Sequence, residues 1–115
     1  MMMISGINAS QAALSTFSKT LSSTAGNIAN VNTDGYKGTV ATINDDNAGL
    51  PQVSLKTPDA PGALLQEGGV VRETSNVDLA QEMPQMMISQ AGYEANIKAL
   101  EAQNNVLKST IDMII

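Results

Sequence analysis

Asn27-Ile28-Ala29-Asn30-Val31-Asn32-Thr33-Asp34-Gly35-Tyr36-Lys37 decides the fold, because this stretch closes an apolar heptad pattern and opens a turn. Upstream of it Ile7, Leu14, Leu21 and Ile28 fall seven apart, beside a second row at Met3, Ser10, Phe17, Thr24 and Val31 that alternates large apolar with small residues. The repeat predicts an amphipathic helix of about 28 residues, roughly 40 Å long. Asn30 and Asn32 suit its end, since Asn tolerates left-handed backbone, and Thr33-Asp34-Gly35-Tyr36 places Gly35 where a turn needs positive φ.

Beyond the turn the pattern changes. Thr39 to Ile43 and Gln52 to Lys56 alternate like short strands around Asn44-Asp45-Asp46-Asn47-Ala48-Gly49. Two more short segments, Ala63 to Gln66 and Val70 to Glu73, flank Gly68-Gly69 as a tip. Asp78 is placed to cap a second helix, with Gln81 three residues on. Leu79, Met86, Tyr93, Leu100, Leu107 and Ile114 then recur every seven residues, flanked by Met83, Gln90, Ile97, Asn104 and Ile111. Pro84 predicts a kink or a 3₁₀ start. The expectation is an α+β chain of one structural domain: an N-terminal helix (1–33), a turn and small β segment (34–77), and a C-terminal helix (78–115). The two helices should run antiparallel as a heptad coiled coil, with Ile7 level with Ile114, Leu14 with Leu107, Leu21 with Leu100, Ile28 with Tyr93, and Phe17 opposite Asn104.

Composition narrows the functions. The 115 residues are 43% hydrophobic but hold one Phe, two Tyr and no Trp, so any core is thin and aliphatic. Neither Cys nor His is present, which removes thiolate nucleophiles, imidazole bases, disulfides and nearly every zinc arrangement. The net charge of -5 is uneven, with Lys19 alone in residues 1–33. Six scattered Lys and Arg make no basic face, so nucleic acid is not an expected partner. Met1 to Ile7 is apolar without a basic flank, which fits neither a cleavable signal peptide nor a membrane-inserted helix.

Individual motifs read blandly. Asn44, Asp46 and Gly49 sit at the first, third and sixth positions of a calcium loop, but Leu55 occupies the twelfth, where a bidentate Glu is required. A solvated turn is the better reading, and no cofactor or metal is expected. Thr16 with Lys19 and the triplet Asn8-Ala9-Ser10 are chance patterns on a helix. Met83 and Met86 fall in the heptad rows as packing residues, whereas Gln90 and Asn104 are polar seam residues of the kind that specify assembly.

Two ordered blocks carry a family resemblance. Ser5-Gly6-Ile7-Asn8-Ala9-Ser10-Gln11-Ala12-Ala13-Leu14 with Asn27 to Lys37, and Ser75-Asn76-Val77-Asp78-Leu79-Ala80-Gln81-Glu82-Met83 with Gln90-Ala91-Gly92-Tyr93-Glu94-Ala95-Asn96, resemble the terminal signatures of bacterial flagellar rod and hook proteins. Asp34 stands where that family usually has Pro, and Gly26 where Asn is common. The family's larger outer domain, usually inserted between the halves, has no counterpart, so the chain resembles a short rod subunit. The resemblance implies a structural, non-enzymatic subunit of the periplasmic rod in the basal body. It would be exported by the flagellar type III apparatus without a cleaved signal peptide and would polymerise helically with itself or paralogous axial proteins. The residues expected to serve assembly are Ile7, Leu14, Leu21, Ile28, Asn30, Asn32, Gly35, Tyr36, Asn76, Asp78, Tyr93, Asn96, Leu100, Leu107, Ile111 and Ile114. The alternative is a cytosolic helical adaptor or regulator of flagellar export.

Overall fold

A computed structural model describes the backbone of residues 2–115 and the side chains from Ser5 onward, so Met1 and the seam position of Met3 lie outside the described residues. Helix α1 (Met2–Ala29) is followed by strands β1 (Val40–Asp45), β2 (Pro51–Lys56), β3 (Leu64–Glu67) and β4 (Val70–Glu73), then by helix α2 (Leu79–Ile114). The strands form two antiparallel hairpins, β1 with β2 and β3 with β4. In the first, Ile43 pairs with Val53 and Ala41 with Leu55. Its loop is organised by Asp46, whose Oδ1 accepts from Ala48 N (2.8 Å) and Leu50 N (2.9 Å), which is the solvated turn the sequence predicts. In the second, Gly68 (φ +58) and Gly69 (φ +81) make the tip, a left-handed pair that matches the twist of a two-residue hairpin loop.

The chain is 78 Å long, and its radius of gyration is 20.0 Å. A compact domain of this length measures about 13 Å. Helix α1 packs against α2 on one side and against the β1–β2 hairpin on another, while β3 and β4 pack against no other helix or strand. No hydrophobic side chain among the described residues is fully buried. The residues that are buried on the helices are Ser10, Thr16, Thr20, Thr24, Asn27 and Ser89.

The helices run antiparallel, but their register differs from the expectation. Phe17 lies on Gly92, where a Cβ would stand 2.6 Å from the ring atoms Cε1 and Cζ, and not opposite Asn104. Ser10 Oγ donates to Gln103 Oε1 at 3.4 Å, and Gln103 also covers Gly6. Relative to the expected alignment, α2 is displaced by eight to twelve residues, about 12–18 Å at 1.5 Å per residue. Heptad rows constrain the register only weakly, because even a slip by a whole repeat keeps most of the pattern. Size and polarity set the register here: the Phe17 ring needs the one position of α2 that has no side chain, and Ser10 needs an acceptor.

One row of α2 was read correctly in part. Met86, Tyr93, Leu100 and Leu107 are half-buried, but Leu79 (43%) and Ile114 (80%) are exposed. The second row, read as Met83, Gln90, Ile97, Asn104 and Ile111, lies in solvent; its place beside α1 is taken by Ser89, Asn96 and Gln103. Small side chains on both helices permit close approach, and they satisfy much of their polarity locally. Thr20 Oγ1 donates to Thr16 O (2.9 Å) and Asn96 Nδ2 to Gly92 O (2.8 Å), while Ser89 Oγ is buried without a partner. Half-buried apolar residues and small polar ones therefore share the seam. Pro84 lies within the continuous helix α2, and Gln81 N donates to Asp78 O (3.0 Å), a tight turn at the helix start.

Candidate assembly site

The end of α1, the turn after it and the start of α2 converge on one extended segment, residues 36–39. Asn27 organises it. Buried to 2% exposure, its Oδ1 accepts from Thr39 N (2.8 Å) and its Nδ2 donates to Thr39 O (2.8 Å), so the side-chain amide does what a neighbouring strand would do. Ser23 Oγ adds a bond to the same carbonyl (3.2 Å), and Tyr36 OH reaches Asn27 Oδ1 (3.4 Å). Asn76 holds the opposite flank: its Oδ1 accepts from Gly38 N (2.7 Å), its Nδ2 donates to Ala60 O (2.9 Å), and its backbone N–H donates to Tyr36 O (3.1 Å). Between the two asparagines a Cβ at Gly38 would meet Val77 Cγ2 at 3.2 Å. The segment is thus held by side-chain hydrogen bonds on both flanks.

The helix ends by a route other than the left-handed asparagine expected from sequence, since no non-glycine residue described has positive φ. Asn30 N donates to both Gly26 O and Asn27 O, Val31 N to Ile28 O and Thr33 N to Asn30 O, so α1 unwinds through successive tight turns. Asn30 Nδ2 also bonds Gly26 O (2.9 Å), and Asn30 Oδ1 accepts from Thr33 Oγ1 (3.0 Å). Asn32 is exposed. Gly35 does adopt positive φ (+70), and its N–H donates to Glu73 O (3.0 Å). Asp78 caps α2 through Oδ1 and Ala80 N (3.0 Å).

Ion pairs fasten the β3–β4 hairpin to this turn. Arg72 Nη1 lies 3.1 Å from Asp34 Oδ2. Lys37 Nζ donates to Glu73 Oε1 and to Ala60 O (3.0 Å), and Glu73 also accepts from Gly62 N (3.1 Å). The Lys37 hydrogen bond first, then the Gly62 bond and the charge of Lys37, hold the Glu73 carboxyl below its ordinary range.

The remaining sequence-selected positions divide in two. Ile7, Leu14, Leu21, Ile28, Tyr93, Asn96, Leu100 and Leu107 are half-buried, whereas Ile111 (48%) and Ile114 (80%) are exposed at the end of α2. Sequence reasoning passed over Asn27, although it opens the decisive stretch, and gave no role to Gly38, Lys37, Glu73 or Gly92. No group of His, Cys, Asp or Glu among the described residues is arranged to hold a metal. A crevice of about 180 Å³ beside Thr20, Thr24 and Glu82 offers one carboxylate and no nucleophile with a base. No described helix is long and apolar enough to cross a membrane.

Comparison with known proteins agrees with this architecture at both ends. Residues 7–37 match the family profile described as flagella basal body rod protein, and residues 67–113 match that described as flagellar basal body rod FlgEFG protein C-terminal. The chain is similar to the flagellar basal-body rod protein FlgG of Borreliella burgdorferi, 31% identical over 77 residues, which cover 67% of this chain and 29% of that protein. The chain thus spans less than a third of that relative's length. It belongs to the flagellar basal-body rod protein family, whose members are structural and not enzymatic.

Proposed function

We propose that this protein is a structural subunit of the flagellar rod in the basal body, polymerising helically through its two long helices with copies of itself or paralogous axial proteins. One observation carries the reading: no hydrophobic side chain among the described residues is fully buried, and Ile88, Val106, Ile111, Met113 and Ile114 lie in solvent along a single helix. Exposed apolar surface of this extent is stable only when neighbours cover it. The asparagine-held junction supports the same reading, since a torque-bearing subunit must join its helices to its β segment without slack. Export through the flagellar type III apparatus is part of the proposal and rests on the family. The test is a deletion strain. Electron microscopy of its basal bodies should show truncated rods, restored by the full chain, which immunoblotting should detect in purified rods. Complete rods in the deletion strain, with the chain confined to the cytosolic fraction of the complemented strain, would contradict the proposal and favour an export adaptor.

A further inference from the structure

We infer that successive subunits pack head to tail, with the outward face of α1 of one copy seated on an uncharged stripe of α2 in the next. This rests on the rod reading above. Around α2 the residues fall into three arcs at 3.6 residues per turn. The first faces α1 through Met86, Ser89, Tyr93, Leu100 and Gln103. A second holds every charged residue from Glu94 onward, namely Glu94, Lys98, Glu101, Lys108 and Asp112, all exposed. The third, about 100° from the charged arc, carries Ile88, Ala91, Ala95, Ala99, Ala102 and Val106 and ends at Met113, also all exposed. Its large members are 63%, 53% and 87% accessible at Ile88, Val106 and Met113. From Ile88 to Met113, about 38 Å along the helix, charge is kept off this arc while collecting beside it.

A second copy's α1 fits that stripe better than a second copy's α2. The outward face of α1 presents Asn8, Gln11, Ser15, Ser18, Ser22 and Ala29, small or uncharged and exposed, and α1 has no carboxylate at all. Its one charge is Lys19, whereas residues 78–115 hold five acids against two lysines. Pairing α1 with α2 thus brings a cation to an acidic helix; pairing α2 with α2 brings two acidic helices together. Small residues on both faces allow close helix approach, and because the two faces differ in chemistry the contact is heterologous and propagates into an open helix instead of closing as a dimer. Area agrees. The chain exposes 7843 Å², about 1,800 Å² more than a compact 12.0 kDa protein would. That excess is roughly two partners' shares of ordinary interface, one for each face.

The chain has no Cys, so disulfide and short bismaleimide mapping need no background removal. Single variants Ser15→Cys and Ser22→Cys on α1, and Ala95→Cys and Ala102→Cys on α2, would be co-expressed pairwise with tags of different size and cross-linked in assembled rods. Lys98→Cys serves as the charged-arc control. The expected result is cross-links between an α1 variant and an α2 variant, in roughly tenfold excess over α2–α2 products and over any Lys98→Cys product. Dominant α2–α2 products, or no α1–α2 product in rods that contain the chain, would overturn the head-to-tail contact and leave the rod reading standing. Absence of the chain from rods would overturn both. As a second measurement, Ala99→Glu should reduce incorporation about tenfold or more, by placing an unpaired carboxylate in the contact, with helix content unchanged. Lys98→Glu, one residue away on the charged arc, should incorporate normally. Equal incorporation of Ala99→Glu and Lys98→Glu would also overturn the proposal.

Discussion

The ring of Phe17 rests on Gly92, and this contact fixes where the two helices stand along each other. A methyl group at position 92 would come within 2.6 Å of Phe17 Cε1 and Cζ, closer than side-chain carbons approach. Gly92→Ala should therefore destabilise the monomer by on the order of 1–3 kcal/mol through overpacking, despite alanine's better helix propensity. Adding Phe17→Leu should recover part of the loss, because the two residues are in contact. Thermal melts followed by circular dichroism decide it, and additive losses would show that the ring does not set the register.

Asn27 should be replaceable by no similar residue. Asn27→Asp removes the donor to Thr39 O and sets a carboxylate oxygen against that carbonyl, and it should cost about 1–3 kcal/mol at a site 2% exposed. Asn27→Leu leaves both Thr39 backbone groups without their side-chain partner and should cost at least as much. Faster hydrogen exchange at Thr39 N–H in both variants is the local signature. Unchanged exchange would mean that the β1 segment holds itself in place.

How much of this was legible beforehand depends on what each residue contacts. The glycine turn could be read locally, because Thr33 to Tyr36 demands positive φ from its own neighbours, and the structure gives Gly35 φ +70. Both hairpins follow from alternation and from turn residues inside the segment itself. The register could not be read, because it depends on a match across 75 residues of sequence between Phe17 and Gly92 and heptads constrain slips only weakly. The composition of the seam misled for a related reason. Apolar spacing assigned Met83, Ile97 and Ile111 to the intramolecular contact, whereas the monomer protects Ser89, Asn96 and Gln103 and leaves the apolar row outside. Hydrophobicity alone does not indicate which face of a helix is covered within its own chain. Asn27 was missed because a buried amide replacing a strand has the same sequence appearance as a helix-ending asparagine.

Gly35 separates left-handed backbone from simple smallness, since a Cβ there would meet nothing within 4 Å. Gly35→Asn should be tolerated with little loss, and Gly35→Val should cost on the order of 1–3 kcal/mol. Denaturant melts of the two variants provide the comparison. Equal stability would show that the turn can adopt another geometry.

Acid should loosen the base of the β3–β4 hairpin. The Glu73 carboxyl titrates below its ordinary range in the folded chain, so its contribution is present above the unfolded value near pH 4 and is lost as pH falls through the lower folded value. Limited proteolysis near residues 57–63 with an acid-active protease should accelerate over that range. Glu73→Gln should abolish the dependence and cleave at one rate throughout. A wild-type rate flat down to pH 2 would show that Lys37 and Glu73 do not secure the hairpin.

Hydroxyl-radical footprinting of the free chain and of purified rods tests the central claim most directly, namely that neighbours cover the apolar surface a single chain leaves open. Ile88, Val106 and Met113 are exposed on the monomer, and in the rod their modification should fall several-fold, while half-buried Tyr93 changes little because α1 already shields it. Equal modification of Ile88, Val106 and Met113 in the free and assembled protein would contradict the account.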